Sequence, residues 1–225
     1  MNNAMYETDK FYLKPFTKAD MTDTYKEWFT DPEVTKYNSH GLFPYTKCQM
    51  ESFLASLESP NNLVLAIIAK VKRRDPHLER WATIAKAKKR NSLLEQWTLA
   101  PFTEQELMEI HIGNVALQNI DWINRSAEFA VIIGNKDYWS NGYCTEAARL
   151  LFEHGFNKLN LHRIWTGTAE TNNGMAKVAM RLGMKVEGLF RDGAYLDGEY
   201  VDIMAFGMLK SEFLKMNKKQ KRLEE

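Results

Sequence analysis

Residues 127–147, AEFAVIIGNKDYWSNGYCTEA, join an apolar strand to a helix through a loop that contains glycine. The first backbone N–H groups of a helix have no intrahelical acceptor and sit at the positive end of its dipole. A turn of this kind is therefore a ready anion site, suited to a pyrophosphate. Gly142 lets the backbone come close to a ligand, because no side chain stands there. The chain has no GxGxxG and no GxxxxGK[ST], so the fingerprints of dinucleotides and nucleoside triphosphates are absent. Cys144 has no His or acid set beside it by sequence and is read as a small loop residue, not a nucleophile. Glu146 falls in the first helical turn, where an acid complements the dipole without any part in catalysis.

These groups need elements to hold them. Residues 126–133 alternate as a strand, with Ser126, Glu128, Ala130 and Ile132 on one face and Ala127, Phe129, Val131 and Ile133 on the other. Ala147, Ala148, Leu151, Phe152 and Phe156 form the buried stripe of the following helix. Residues 63–69 (LVLAIIA) read as a strand covered on both faces. Residues 112–117 and 164–168 are further strands, and residues 186–191 and 201–209 form a hairpin with Asp197-Gly198 as its turn. Helices are expected over residues 18–29, from Asp31-Pro32-Glu33, and from a Thr46 cap through Leu57. Met175, Val178, Ala179 and Leu182 face the core from another helix, which Gly183 caps. Asn38 to Gly41 is a loop that carries His40, and His162 follows a helix, where it packs or caps.

Composition narrows the function class. The 225 residues hold 30 Lys+Arg and 29 Asp+Glu, a net charge of +1, which excludes an overall polycation and an acidic disordered chain. At about 150 residues per domain the length suits one large domain or one domain with an insertion. No run of about 18 apolar residues predicts a transmembrane helix, and the first ten residues lack the pattern of a secretion signal. Cys48 and Cys144 cannot make a disulfide framework or a four-cysteine zinc site. The expected location is cytoplasmic. Residues 70–90 are unusual, with nine basic residues and two acids, a local excess of +7. Leu78, Trp81, Ala82 and Ala85 have helical spacing, as do Leu93, Leu94 and Trp97, so one or two amphipathic helices are expected between strands. An anionic partner is one use of this patch; a solvated face is the ordinary one.

Several motifs occur in a fixed order: Leu13-Lys14-Pro15 with Asp20, Trp28 to Val34, Ala127-Glu128, Tyr138 to Ala147, Asn172 to Met184, Glu187-Gly188, Asp197-Gly198 and Asp202. Together they resemble the Gcn5-related N-acetyltransferase (GNAT) superfamily, in the branch of the RimJ- and RimL-like ribosomal-protein acetyltransferases. The resemblance covers nearly the whole chain except residues 71–109. It implies an α+β fold with a mixed, mostly antiparallel central sheet flanked by helices. It also implies one domain over residues 1–225, with a helical insertion at about 71–109 between two strands and a charged tail, expected to fray, at about 215–225.

The resemblance further implies acetyl-CoA as cosubstrate and no metal. Trp139, Ser140, Asn141, Gly142, Tyr143 and Cys144 stand where the family cradles the pyrophosphate with backbone N–H groups, and Thr145 follows at the helix start. Val131, Ile132 and Ile133 would pair with the pantetheine arm as an added strand does. Asn172 matches the Asn that helps hold that arm. Three residues depart from the pattern: Ser140 replaces a Gly, Cys144 replaces Gly or Ala, and Met175 replaces a Ser that protonates the leaving thiolate in some relatives.

The implied reaction moves an acetyl group to a primary amine by direct attack in a ternary complex. Such an amine, with a pKa near 10, must first lose a proton. Glu128 is the candidate base, Tyr195 a candidate proton donor, and His40 a candidate contact for the acceptor. The acceptor is a protein N-terminus or a small amine or amino sugar. The alternative is a non-catalytic module that binds acyl-CoA or docks on RNA or the ribosome.

Overall fold

The computed structural model describes residues 3–38, 46–72 and 107–224. The strands are β1 (Tyr6–Glu7), β2 (Phe11–Pro15), β3 (Leu63–Lys72), β4 (Leu107–Asp121), β5 (Ser126–Ile133), β6 (Arg163–Ala169), β7 (Lys185–Leu196) and β8 (Glu199–Leu209). They form one sheet in the order β1-β2-β3-β4-β5-β6-β8-β7. All neighbouring pairs are antiparallel except β5 and β6. That parallel pair is joined by a crossover through α3 (Tyr143–Asn157). The other helices are α1 (Asp23–Trp28), α2 (Lys47–Ser56), α4 (Asn173–Leu182) and α5 (Lys210–Glu224).

Both faces of the sheet are covered, and β3 explains why its sequence is an unbroken apolar run. Leu65, Ile67 and Ala69 enter the core beneath α3, α4 and α5. Ala66 and Ile68, between them, enter a second core with Phe16, Tyr25, Trp28 and Phe29. The expected alternation of β5 holds: Ala127, Phe129, Val131 and Ile133 join the first core, and Phe129 meets Phe152 of α3 edge to face. The mostly antiparallel, helix-flanked α+β architecture is the one expected.

Local polar chemistry corrects some boundaries. Residues 18–29 form two pieces, because the Asp20 carboxylate turns back to accept from the Thr17 N–H and hydroxyl and from Lys14. Thr22 then caps α1 by accepting from the Tyr25 N–H at 3.2 Å. No helix starts at Asp31. Its carboxylate accepts from the Glu33 N–H in an Asx turn, and Lys136 holds both Asp31 and Glu33 at 2.8 Å. Thr46 does cap α2, in a reciprocal box with Gln49. The tail expected to fray is helical through Glu224, anchored where Phe213 is buried and Met216 packs on the core. The turn between β7 and β8 has positive φ at Asp197 (51°) and Gly198 (91°), as an Asp-Gly hairpin turn requires.

Residues 71–72 and 107–109, placed within the expected insertion, belong to strands instead, since the β3–β4 ladder runs on through Val71↔Met108 to Lys72↔Leu107. The helices expected within it lie outside the described residues, as does His40.

Candidate active site

The sheet opens where β5 and β6 part. They pair only over Ser126↔Arg163, Ala127↔Ile164 and Glu128↔Trp165. Beyond Glu128, β5 keeps β4 on one side and presents a free edge on the other. The Gly134 N–H donates to the Ile112 carbonyl on β4. Main-chain groups in an antiparallel ladder alternate in direction, so those of Ile132 and Ala130 also face β4, while those of Val131 and Ile133 face the opening. The Ile133 carbonyl is already engaged, accepting from Trp139 Nε1 at 2.7 Å. Of the three residues expected to pair with an extended arm, Val131 has its main chain directed into the fork. Ile132 instead lends its side chain to the cleft on the other face.

The loop at the head of α3 is built from local bonds. Asn135 caps a short 3-10 turn over Lys136–Tyr138, and Asn141 Nδ2 donates to the Asp137 carbonyl at 3.1 Å. Tyr143 points inward, its ring 5.4 Å from Tyr138 and 5.9 Å from Phe11, so it anchors the loop. Ser140 (φ 63°) and Gly142 (φ 86°) adopt left-handed backbone. Gly142 is the N-cap of α3, and no side chain caps the helix. A Cβ built on Gly142 would meet nothing within 4 Å, so open space lies over it. An uncapped helix start, exposed at residues 140–142 and clear above its glycine, fits a diphosphate.

Two neighbours are used structurally. Desolvation pushes the half-buried Cys144 thiol up to about 12, so it stays protonated at neutral pH. Asn172 caps α4, its Oδ1 accepting from the Met175 N–H at 3.1 Å, and Met175 packs against the core as expected.

On the opposite face, a cleft of about 660 Å³ lies between the sheet and the α1–α2 side. Glu128 lines it, together with Tyr25, Phe29, Phe53, Asn114 and Gln118. Asn119 Nδ2 donates to Glu128 Oε2 at 2.8 Å and orients the carboxylate. Glu128 is thus the last β5 residue paired to β6 and also part of the cleft wall. Tyr195 is not brought to this cleft. It is 58% exposed on β7, with its ring 5.1 Å from Tyr200. Among the described residues no group of three His, Cys, Asp or Glu is arranged to hold a metal.

Sequence reasoning missed a polar array in the cleft floor. His111 Nε2 lies 2.8 Å from Asn114 Oδ1 and 3.1 Å from the Gly113 carbonyl, and Asn114 Nδ2 donates to the Tyr25 hydroxyl at 3.4 Å. The His111 ring is enclosed by Phe16, Tyr25 and Trp28, and this burial lowers its pKa. His111 and Asn114 are three apart, a spacing that puts residues of a regular strand on opposite faces. A register shift opposite Ile67/Ile68 adds one residue to β4 and brings both to the same side.

The mixed sheet thus forks at one parallel pair, with an uncapped helix start beside the fork and a carboxylate at its vertex. The chain belongs to the acetyltransferase (GNAT) domain family, whose model matches residues 10–185. Enzymes of this family take their acyl group from acetyl-CoA. YdaF of Bacillus subtilis (strain 168), named provisionally as a ribosomal N-acetyltransferase, is 35% identical over 101 residues, 45% of this chain and 55% of its own length. Spermidine N(1)-acetyltransferase of Escherichia coli (strain K12) is 29% identical over 106 residues, 47% of this chain and 56% of its own length. The chain therefore spans about half the length of the curated relatives it matches. The crystal structure of spermidine N-acetyltransferase from Vibrio cholerae with CoA and spermine superposes with a TM-score of 0.65. That match covers 92% of this chain and 99% of the other at 18% identity, a likeness of fold.

Proposed function

We propose that this chain is an N-acetyltransferase that moves an acetyl group from acetyl-CoA to a primary amine by direct attack in a ternary complex. The observation that carries the reading is the position of Glu128, at the vertex of the fork and in the wall of the cleft on the other face. The coenzyme supplies an activated thioester, so a covalent enzyme intermediate is unnecessary. The main chain at residues 140–145 holds the diphosphate, with the Gly142 cap as the point of closest approach. The Val131 main chain pairs with the extended arm as a further strand, and its N–H is directed toward a carbonyl oxygen that gains charge. Asn172 fixes the start of α4 on the far side of the opening.

An alkylamine is mostly an ammonium at neutral pH. Glu128, oriented by Asn119, accepts its proton directly or through one water.

The test is thiol release from acetyl-CoA against peptides, polyamines and amino sugars, with the product weighed by mass spectrometry. Glu128→Gln should lower kcat by about 100-fold or more, with little change in coenzyme affinity. An unchanged kcat removes Glu128 from the role of base. Tight acetyl-CoA binding with no amine-dependent release would instead mark a non-catalytic acyl-CoA-binding module.

A further inference from the structure

The cleft that Glu128 lines carries information about the acceptor's charge. Among its thirteen described lining residues, Glu128 is the one carboxylate. Tyr25, Phe29 and Phe53 supply aromatic walls. Side-chain amides stand on both sides, Asn114 and Gln118 from β4 and Gln49 from α2. Four acids around α1 are paired with lysines: Asp20 with Lys14, Asp23 with Lys26, and Asp31 and Glu33 with Lys136.

We infer that the acceptor is a singly charged amine on an otherwise uncharged framework of hydrogen-bonding and apolar groups, and that polyamines are poor acceptors. The inference rests on the acetyl-transfer reading for its site. A polyamine carries several ammonium groups at neutral pH, and each one buried without a partner is strongly unfavourable. One carboxylate matches one ammonium. The amides offer both donors and acceptors to a peptide backbone or to sugar hydroxyls, and the aromatic rings suit an apolar side chain or a sugar face. The chemistry shared by an uncharged peptide with a free α-amine and by an amino sugar is therefore the chemistry this wall recognises. The similarity to spermidine acetyltransferase extends over 47% of this chain, and selectivity by charge needs only a few wall residues to differ.

The experiment measures binding by calorimetry to the CoA-loaded protein at low ionic strength, and thiol release from acetyl-CoA. Its three probes are a C-terminally amidated peptide with neutral side chains, glucosamine and spermidine. At least one monoamine should bind, and be acetylated, with about tenfold or greater preference over spermidine. The peptide and glucosamine arms identify the source of the amine. Gln49→Glu adds a charge to the wall while a glutamate keeps the capping box with Thr46. It should improve spermidine binding by about threefold or more, a surface ion pair's worth, and leave the neutral peptide behind. Spermidine as the preferred probe of the unmodified protein, or no binding by either monoamine, overturns the inference. Thiol release with spermidine alone would do so while leaving acetyl transfer intact. Monoamine-selective binding without thiol release would support the inference while sinking the transfer reading.

Discussion

At the scale of single residues, Gly142 separates geometry from charge. Its φ of 86° is a conformation that costs an L residue about 1–2 kcal/mol. Gly142→Ala should therefore destabilise the fold by about that amount and weaken CoA binding, because the new methyl group occupies the open space over the cap. Gly142→Glu should be no less stable than the alanine variant, since an acid at a helix start complements the dipole. It should nevertheless bind CoA far more weakly, by about 100-fold, because a carboxylate would face the diphosphate. Calorimetric titration with CoA, beside urea unfolding of the same proteins, checks both halves. An unchanged affinity in the glutamate variant would move the diphosphate away from this loop. Glu128 and Gly142 can be singled out from the chain by the motifs that carry the family resemblance, Ala127-Glu128 and Tyr138 to Ala147. His111 and Asn114 cannot, because an imidazole and an amide three apart on a regular strand face opposite ways until a bulge brings them together.

At the scale of elements, what the sequence revealed followed from strong amphipathic contrast. β5 spans the expected residues 126–133 with its expected alternation, and the apolar stripe expected for α3 is buried. Residues 18–34 misled because Asp20 and Asp31 form side-chain bonds to the backbone that break helices. The extension of β4 to Asp121 was hidden because its polar end pairs through Gln118↔Glu128, a contact that periodicity does not register. One element contact fixes the site's frame. A Cβ on Gly134, just after β5, would fall 1.8 Å from Trp28 Cδ2 at the end of α1. The bare glycine therefore lets α1 settle on the sheet beside the cleft. Gly134→Ala should cost about 1–3 kcal/mol by overpacking, read as a lower urea midpoint. A midpoint equal to that of the parent would mean that the Trp28 ring has another place to go.

At the scale of the whole molecule, coenzyme and acceptor are assigned to different parts of the sheet, and the basic segment at residues 73–106 is assigned to neither. Lys72 and Leu107 are ladder partners, and directly opposed strand residues lie about 5 Å apart, a gap that a two-residue turn can close. Replacing residues 73–106 with Asn-Gly should leave a folded protein with CoA affinity within about twofold of the parent, because no residue assigned to the coenzyme belongs to the segment. Loss of CoA binding in a protein that still unfolds cooperatively would make the segment part of the coenzyme site. In the described residues no helix is long and apolar enough to cross a membrane.

The three-residue pairing of β5 with β6 has a mechanical corollary. So short a seam acts like a zipper with three teeth, too few to dictate the angle at which the two half-sheets diverge. That angle is set from behind, by the bulk wedged under the seam, where Phe129 leans on Phe152 and Phe152 on Phe156. The width of the jaw is accordingly governed by greasy side chains that never touch a reactant, so its gape can be retuned without altering any group that does.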